Sequence, residues 1–423
     1  IRRQRQMCIR DRRSVKDINQ ILDIAEKNNQ PQYKALGLIC KVYVLSLMTD
    51  AYGDIPYNEA GKGDVSGLEF PHYQEQKEVY RLMLADLETA NQLLKSLKAD
   101  ATISDDILFN GDAVKWRKYA NSLKVRILMR QSAKKDVSAD IAAIFNNAQE
   151  YPVFTSIDDQ ATLVYNNTVD FYKWYIQPKN LPSDGSGVIF GDNFRVSEAI
   201  VDALQTKDDP RLPVYVAPTK HSFEAHRANA SVPFVYRGQP AGLSAAEQNE
   251  IDKDDYSVLS STIRSESRAF VMTFAELQFL KAEAIIRGMI TGNAADEYAK
   301  GIRASMQKWA AISSDDVDVY LARPDVALNT AQNEALKQIG TQAWIDSFLN
   351  GFEAFANWRR TGYPELKVGT SVSSAIPVRY IYSDNEQNNP NLISWTNEKI
   401  GRMVNETDMV WFQPQKWNTN VNR

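Results

Sequence analysis

The sequence predicts a mostly α-helical protein, and three observations carry that fold class. Apolar residues recur at the i, i+3, i+4, i+7 spacing of helix faces over long stretches in both halves of the chain. Those stretches fall into pairs joined by loops, as in arrays of helical hairpins. Between them, 151–271 breaks the pattern with clustered Pro, Gly, Asn and Ser.

Taken in order, helical periodicity covers about 14–28, 32–50, 75–97, 113–133, 137–148, 195–206, 272–288, 293–312 and 331–350. In the second of these, Leu38, Val42, Leu45 and Met48 form one apolar stripe. The helix then runs straight into Asp50-Ala51-Tyr52-Gly53-Asp54-Ile55-Pro56-Tyr57. Gly53 can take the positive φ that ends a helix, and Pro56 fixes an extended turn beyond it. Asp136 and Ser138 stand where a cap for 137–148 is needed, and Gly288 closes the helix over 272–288. No 34-residue consensus repeat is legible, so periodicity by itself gives a mostly α protein and no finer architecture.

Size and composition bound the rest. A chain of 423 residues can build a large core, and its length allows two or three domains. Hydrophobic content of 43% with 24% charged residues describes an ordinary globular protein. No apolar run is expected to reach the roughly 18 residues that span a bilayer. A formal charge of −4 disfavours duplex nucleic acid, which calls for dense Lys/Arg patches.

Five separated segments share one resemblance. KVYVLSLMTDAYGDIPYNEA at 41–60 resembles the motif that marks SusD-like (SusD/RagB) proteins, nutrient-binding lipoproteins of the bacterial outer membrane. WRKYANSLKVR at 116–126, MTFAELQFLKAEA at 272–284, and WIDSFLNGFEAFANWRRTGYP at 344–364 resemble three further helices of that family in the same order. Ile376-Pro377-Val378-Arg379-Tyr380, followed by Glu386, Asn388 and Asn389, resembles its closing segment. The resemblance runs from about residue 20 to the C-terminus. It implies a degenerate tetratricopeptide-like helical array with an irregular, loop-rich capping lobe. The expected division is one domain over 13–423, with a helical scaffold at about 13–150 and 272–364 and a lobe at about 151–271 and 365–423. The helices of 32–133 and 272–350 should pack into one right-handed array.

The first twelve residues stand apart. RRQRQMCIRDR at 2–12 reads as the in-frame translation of a transposase-tagging sequencing adapter, so 1–12 is expected not to be native and to have no fixed place in the fold. Without its five arginines and Asp11 the formal charge falls from −4 to −8, which leaves the basic N-terminus no weight as a nucleic-acid signal. Cys8 lacks the apolar run that precedes a lipidated cysteine. Cys40 lies on an apolar helix and reads as a buried thiol. With Cys8 set aside, no intrachain disulfide or metal-type cysteine spacing remains.

No catalytic constellation is legible. His221 and His226 are five residues apart, not the i, i+4 of a metal-binding helix face, and with His72 they read as exposed loop residues. Gly185-Ser186-Gly187 is not a nucleophile elbow. Glu276 and Glu283 share a helix face, where ion pairs with helix arginines explain them better than a glycosidase pair. Arg359-Arg360 likewise reads as a structural pair for carboxylates or carbonyls. Glu250, Asp252, Asp254 and Asp255 lack the Gly and terminal Glu of an EF-hand. No cofactor, no metal and no catalytic residue are therefore expected.

Aromatic clustering gives the binding signal. Val169-Asp170-Phe171-Tyr172-Lys173-Trp174-Tyr175 puts four rings within five residues. Sugar C–H faces stack on such rings, and their hydroxyls need amide and carboxylate partners. The candidate ligand contacts are thus Asn166, Asn167, Asp170, Phe171, Tyr172, Trp174 and Tyr175, joined by Tyr57 of the 50–57 turn. Plainer roles stand beside these: the rings can plug a seam between lobes, and Tyr57 can pack under its turn. The turn and the aromatic run are expected to approach one solvent-facing surface.

The resemblance implies a surface-exposed outer-membrane lipoprotein, with a lipid anchor missing from this fragment. Such a protein binds a nutrient, an oligosaccharide or alternatively an oligopeptide, and delivers it to a SusC-like TonB-dependent transporter. The competing classes are a glycan-active enzyme, for which no acid and base can be nominated, and a tetratricopeptide scaffold, which has no use for the aromatic segment.

Overall fold

The computed structural model describes residues 2–63, 67–98, 101–165, 188, 190, 194–266, 268–309, 311–369, 371 and 376–414, with backbone alone at 2–13 and at 385. The scaffold helices are α1 (Arg2–Lys27), α2 (Pro31–Tyr52), α3 (Gln76–Lys95), α4 (Ala113–Arg130) and α5 (Ser138–Asn146) in the first half. The lobe carries the short α6 (Glu198–Gln205), α7 (Leu212–Tyr215), α8 (Lys220–Ala228), α9 (Ala245–Glu250) and α10 (Ser261–Ser265). The second half adds α11 (Phe274–Ile286), α12 (Ala294–Gln307), α13 (Ser314–Leu321), α14 (Gln332–Asp346), α15 (Gly351–Thr361), α16 (Asp384–Gln387) and α17 (Pro390–Ile400). Among the described residues the strands are β1 (Ala161–Val164) and β2 (Arg268–Met272), an antiparallel pair. The mostly helical class read from the sequence is what the structure has.

Consecutive helices pack as antiparallel neighbours. α1 lies on α2, α2 on α3 and α3 on α4; α11 lies on α12 and α14, and α14 on α15. The two halves join where α4 meets α11 and α15 meets α2. Gly301 lets α12 press against α11: a Cβ there would lie 2.6 Å from the Phe279 ring, closer than any side chain tolerates. α2 is apolar on nearly every face and, by length and composition, long enough to cross a membrane, which corrects the expectation that no run is. It is the core helix of the array, with 61% of its most apolar window buried against its neighbours.

Capping follows the sequence signals. The Asp136 carboxylate accepts the Ser138 amide at 2.9 Å, and Gly288 leaves α11 at φ +73°. Strand pairing brings the two ends of the lobe together, since β1 lies near its start and β2 at its end. The lobe has its own small core of Val196, Val201, Leu204, Tyr215 and Ile263, seated on Trp309 and Ile345 of the scaffold. The C-terminal stretch divides: Lys367 and Ser371 touch the lobe, whereas Tyr382, Leu392, Val410 and Phe412 pack into the core of the first helices. The backbone of Arg2–Arg12 is helical and continuous with the rest of α1.

Candidate ligand-binding site

The site is organised by the turn after α2. Gly53, at φ +85°, donates its N–H to the Thr49 carbonyl at 2.8 Å, a conformation that glycine alone takes without strain. Asp54 then pins the turn. Its carboxylate accepts the Gln76 amide (2.8 Å), Trp395 Nε1 (2.9 Å) and Lys399 Nζ (3.1 Å), while Tyr382 donates its hydroxyl to the Asp54 carbonyl (2.7 Å). Tyr57, expected at the ligand, is instead 2% exposed. Its hydroxyl donates to Asp86 at 2.7 Å, and Lys41 Nζ sits 4.2 Å over its ring. It packs beneath the turn, the plainer role the sequence allowed, because the Pro56 bend directs the following side chain inward.

What the turn leaves open is a groove of about 420 Å³. Its floor is apolar: Met48, Tyr52, Ile55, Pro56 and Leu68, with Tyr73 and Tyr382. Tyr52 stacks on Tyr382 (5.9 Å between centroids, 15° between planes), and Tyr73 meets Tyr382 edge-on at 5.6 Å. Charged groups stand around it: Glu59, Glu69 and Glu386 against Lys16 and Lys62. Glu386 accepts the Tyr73 hydroxyl. Glu59 accepts the His72 amide at 2.7 Å, and that bond together with the imidazole holds its carboxyl below the usual range. Met48, expected in the buried stripe, lines this groove half-buried, while Leu38, Val42 and Leu45 are buried. The three tyrosines are only 5–6% exposed, so the groove meets their edges, and its open apolar surface is Met48, Pro56 and Leu68 beside the carboxylates, a mixture that suits a ligand with apolar and hydroxyl faces.

A second cavity, of about 250 Å³, lies at the seam of scaffold and lobe, between Tyr43, Tyr165, Phe270, Phe348 and Glu276. Tyr43 and Tyr52 are nine residues apart, about two and a half helical turns, so the two cavities look onto opposite faces of α2. The polar groups of the seam cavity are already paired. Arg268 is bound to Glu266 (2.8 Å) and to the Lys308 carbonyl (2.9 Å). Asp346 accepts Lys308 Nζ (2.7 Å) and the Thr273 hydroxyl (2.6 Å).

The remaining candidate contacts, Asn166, Asn167, Asp170, Phe171, Tyr172, Trp174 and Tyr175, lie outside the described residues, and so does the expected approach of that run to the turn. The groove residues Tyr73, Tyr382 and Glu386 were not nominated from the sequence. They come from two segments some 300 positions apart, a loop at Tyr73 and the stretch from Tyr382 into α16, and no local pattern links them.

The carboxylates that invited a catalytic reading are structural. Arg126 binds Glu276 through two bonds of 2.5 and 2.6 Å, and Arg360 binds Glu283 through two of 2.6 and 2.7 Å. Burial works against the Glu283 charge, but Arg360 and Arg287 outweigh it and hold the carboxyl down to about 2. Arg359 donates to the Val378 carbonyl at 3.0 Å. His221 and His226 are on α8 rather than in loops. Among the described residues the grouping with metal-ligand spacing is His221 with Asp252 and Asp255, all exposed. A direct 3.0 Å hydrogen bond from His221 Nε2 to Asp252 accounts for that grouping.

Comparison with known proteins agrees with this architecture. The family model described as "Starch-binding associating with outer membrane" (SusD-like) matches residues 9–383. A SusD homologue from Bacteroides fragilis is similar at 26% identity and a TM-score of 0.77, covering 94% of this chain and 88% of its own. A chitin-binding SusD homologue from Flavobacterium johnsoniae is similar at 27% identity and a TM-score of 0.74, covering 93% and 83%. A candidate outer membrane protein for nutrient binding from Bacteroides vulgatus gives 26% identity, a TM-score of 0.80, and coverage of 94% and 88%. No curated protein matches the chain.

Proposed function

The chain belongs to the SusD-like family, and from that premise we propose that it is a surface-exposed, lipid-anchored outer-membrane protein that captures an oligosaccharide and delivers it to a SusC-like TonB-dependent transporter. The observation that carries the reading is the groove beside the Tyr52 turn. Its volume of about 420 Å³ suits one or two sugar rings, and its apolar floor and carboxylate rim suit their two kinds of surface. Binding without catalysis is supported by the pairing of Glu283 with Arg360, which holds that carboxyl ionised, and by the position of Glu276, which Arg126 binds away from the groove and which has no second free carboxylate as partner among the described residues. The aromatic run Phe171–Tyr172 and Trp174–Tyr175, with Asn166, Asn167 and Asp170, is proposed as a further ligand contact on its chemistry alone.

An oligopeptide is the alternative ligand, favoured by the three glutamates at the groove, which can pair with an α-amino group or a lysine. A combined glycan and peptide array, followed by calorimetry on the best ligand, separates the two. Leu68→Trp should fill the groove and raise Kd by tenfold or more while leaving the helical circular dichroism unchanged. Trp174→Ala removes one stacked ring, worth roughly 0.5–1.5 kcal/mol, and should raise Kd by up to about tenfold. Unchanged affinity in both variants would place the ligand elsewhere.

A further inference from the structure

Five charged side chains cross the joint between the helical halves in one alternating line: Glu276 (α11), Arg126 (α4), Glu353 (α15), Arg130 (α4) and Asp50 (α2). Arg126 Nε lies 2.5 Å from Glu276 and 3.6 Å from Glu353. Arg130 binds both Glu353 oxygens at 2.7 Å and approaches Asp50 at 3.1 Å. The Asp50 end is sealed, since Tyr80 donates its hydroxyl to that carboxylate and the side chain is 9% exposed. The Glu276 end reaches the seam cavity, where its side chain keeps 12% of its exposure. Three carboxylates face two guanidiniums along this line, while Arg359 favours the charged Asp50 at its sealed end and Arg360 the charged Glu353 at its middle, which leaves Glu276 at the open end with Arg126 as its guanidinium partner.

We propose that this line is a proton-sensitive latch between the two halves of the scaffold, in which Glu276 takes up a proton from the seam cavity at mildly acidic pH. On uptake, the carboxyl becomes a hydrogen-bond donor, and Arg126 is freed to close its 3.6 Å approach to Glu353. Every element packed around Glu276 contributes to its balance. Arg126 and, further off, Arg130 on α4 favour the charged form, as does the Lys308 ammonium of the segment after α12, which is itself bound to Asp346 of α14; Arg268 of β2, in the same cavity, is bound to Glu266. Glu353 on α15 opposes it, and Tyr43 on α2 and Tyr119 on α4 present phenols that stay neutral. Burial is the largest cause of all, and with Glu353 it pushes the Glu276 carboxyl up to about 6. Glu353, held between two guanidiniums, goes the other way despite its burial.

The sign of the linkage is unusual for a carboxylate. A folded-state value raised above the unfolded one means that stability from this group is fully present below about pH 4.5 and is lost as pH rises through about 6. The test is the urea midpoint of the full chain from pH 4.5 to 7.5, with and without Glu276→Gln. The wild type should gain midpoint on acidification from pH 7 to pH 5, and the variant should lose that gain. Equal slopes in the two proteins would overturn the latch. Should Glu276→Gln fail to fold, carboxyl ¹³C titration of glutamate-labelled wild type and Glu353→Gln decides instead. One buried glutamate should titrate near pH 6 in the wild type and move down once Glu353 no longer competes for Arg126. A titration that stays in place, or the absence of any near pH 6, sinks the proposal.

Discussion

At the joint between the helical halves, Glu276, Glu353 and Asp50 face Arg126 and Arg130 in the interior, and each carboxylate is bound by a protein partner. At the groove, less than three turns further along α2, Glu69 stands exposed beside Tyr52, Tyr73 and Tyr382, with Glu59 and Glu386 near it. The same residue types thus serve two ends. Buried and mutually satisfied, they fix how the halves meet; placed at the edge of the groove, they keep a face toward solvent. The difference lies in desolvation. A buried charge that loses its partner is heavily destabilising, whereas an exposed carboxylate costs little to hold or to remove.

The largest expected effect breaks the joint. Arg130→Met removes the guanidinium that holds both Glu353 and Asp50, leaving two buried carboxylates short of a partner. Urea unfolding should show a loss of about 3–5 kcal/mol, the range for a broken buried pair. A loss below about 1 kcal/mol would mean that apolar packing alone sets the joint and that the comparison with the groove is misplaced.

A smaller effect separates two carboxylates of one helix. Glu283 is held down to about 2 by Arg360 and Arg287, while Glu276 is pushed up to about 6. For Glu283 the stabilisation is fully present above about pH 4.5 and is lost as pH falls through about 2, a contribution of about 3 kcal/mol. Arg360→Met should shrink that acid-side dependence, measured as the urea midpoint between pH 2 and pH 5, and leave the dependence near pH 6 in place. If both windows changed together, the two carboxylates would be one coupled unit rather than opposite ends of α11.

These cases also show what the sequence could and could not disclose. Periodicity located most scaffold helices within a few residues, because an amphipathic or apolar face is written locally, but it passed over the short α13, α15 and α17; the Arg359-Arg360 and Glu276/Glu283 pairs were legible as structural for the same local reason. Groove residues were not. Tyr382 reaches Tyr52 only because the chain returns across the core after α15, and a contact at such separation leaves no local trace. The 50–57 turn misled in one respect. Its Tyr57 suggests contact with a ligand, yet Tyr57 turns inward onto Asp86, Asp50 and Asp54 are taken up by Tyr80 and Gln76, and what the turn contributes to the groove is mainly the apolar edge of Tyr52, Ile55 and Pro56.

The smallest effect on stability is the most informative about the ligand. Glu69 is exposed at the groove, so Glu69→Gln should change the unfolding free energy by less than about 0.5 kcal/mol, as for other surface positions. Its effect on binding depends on what the groove holds. A neutral oligosaccharide hydroxyl donates as well to an amide oxygen as to a carboxylate that is screened by water, so Kd should move by less than about threefold and show little dependence on salt. A peptide that seats an ammonium against the Glu59, Glu69 and Glu386 cluster loses a charge-assisted partner, and Kd should rise several-fold at low salt with the difference fading toward 0.5 M. Calorimetry of wild type and variant at two ionic strengths reads both outcomes. A salt-independent loss of tenfold or more would fit neither ligand class, and would mean that Glu69 shapes the groove rather than lining it.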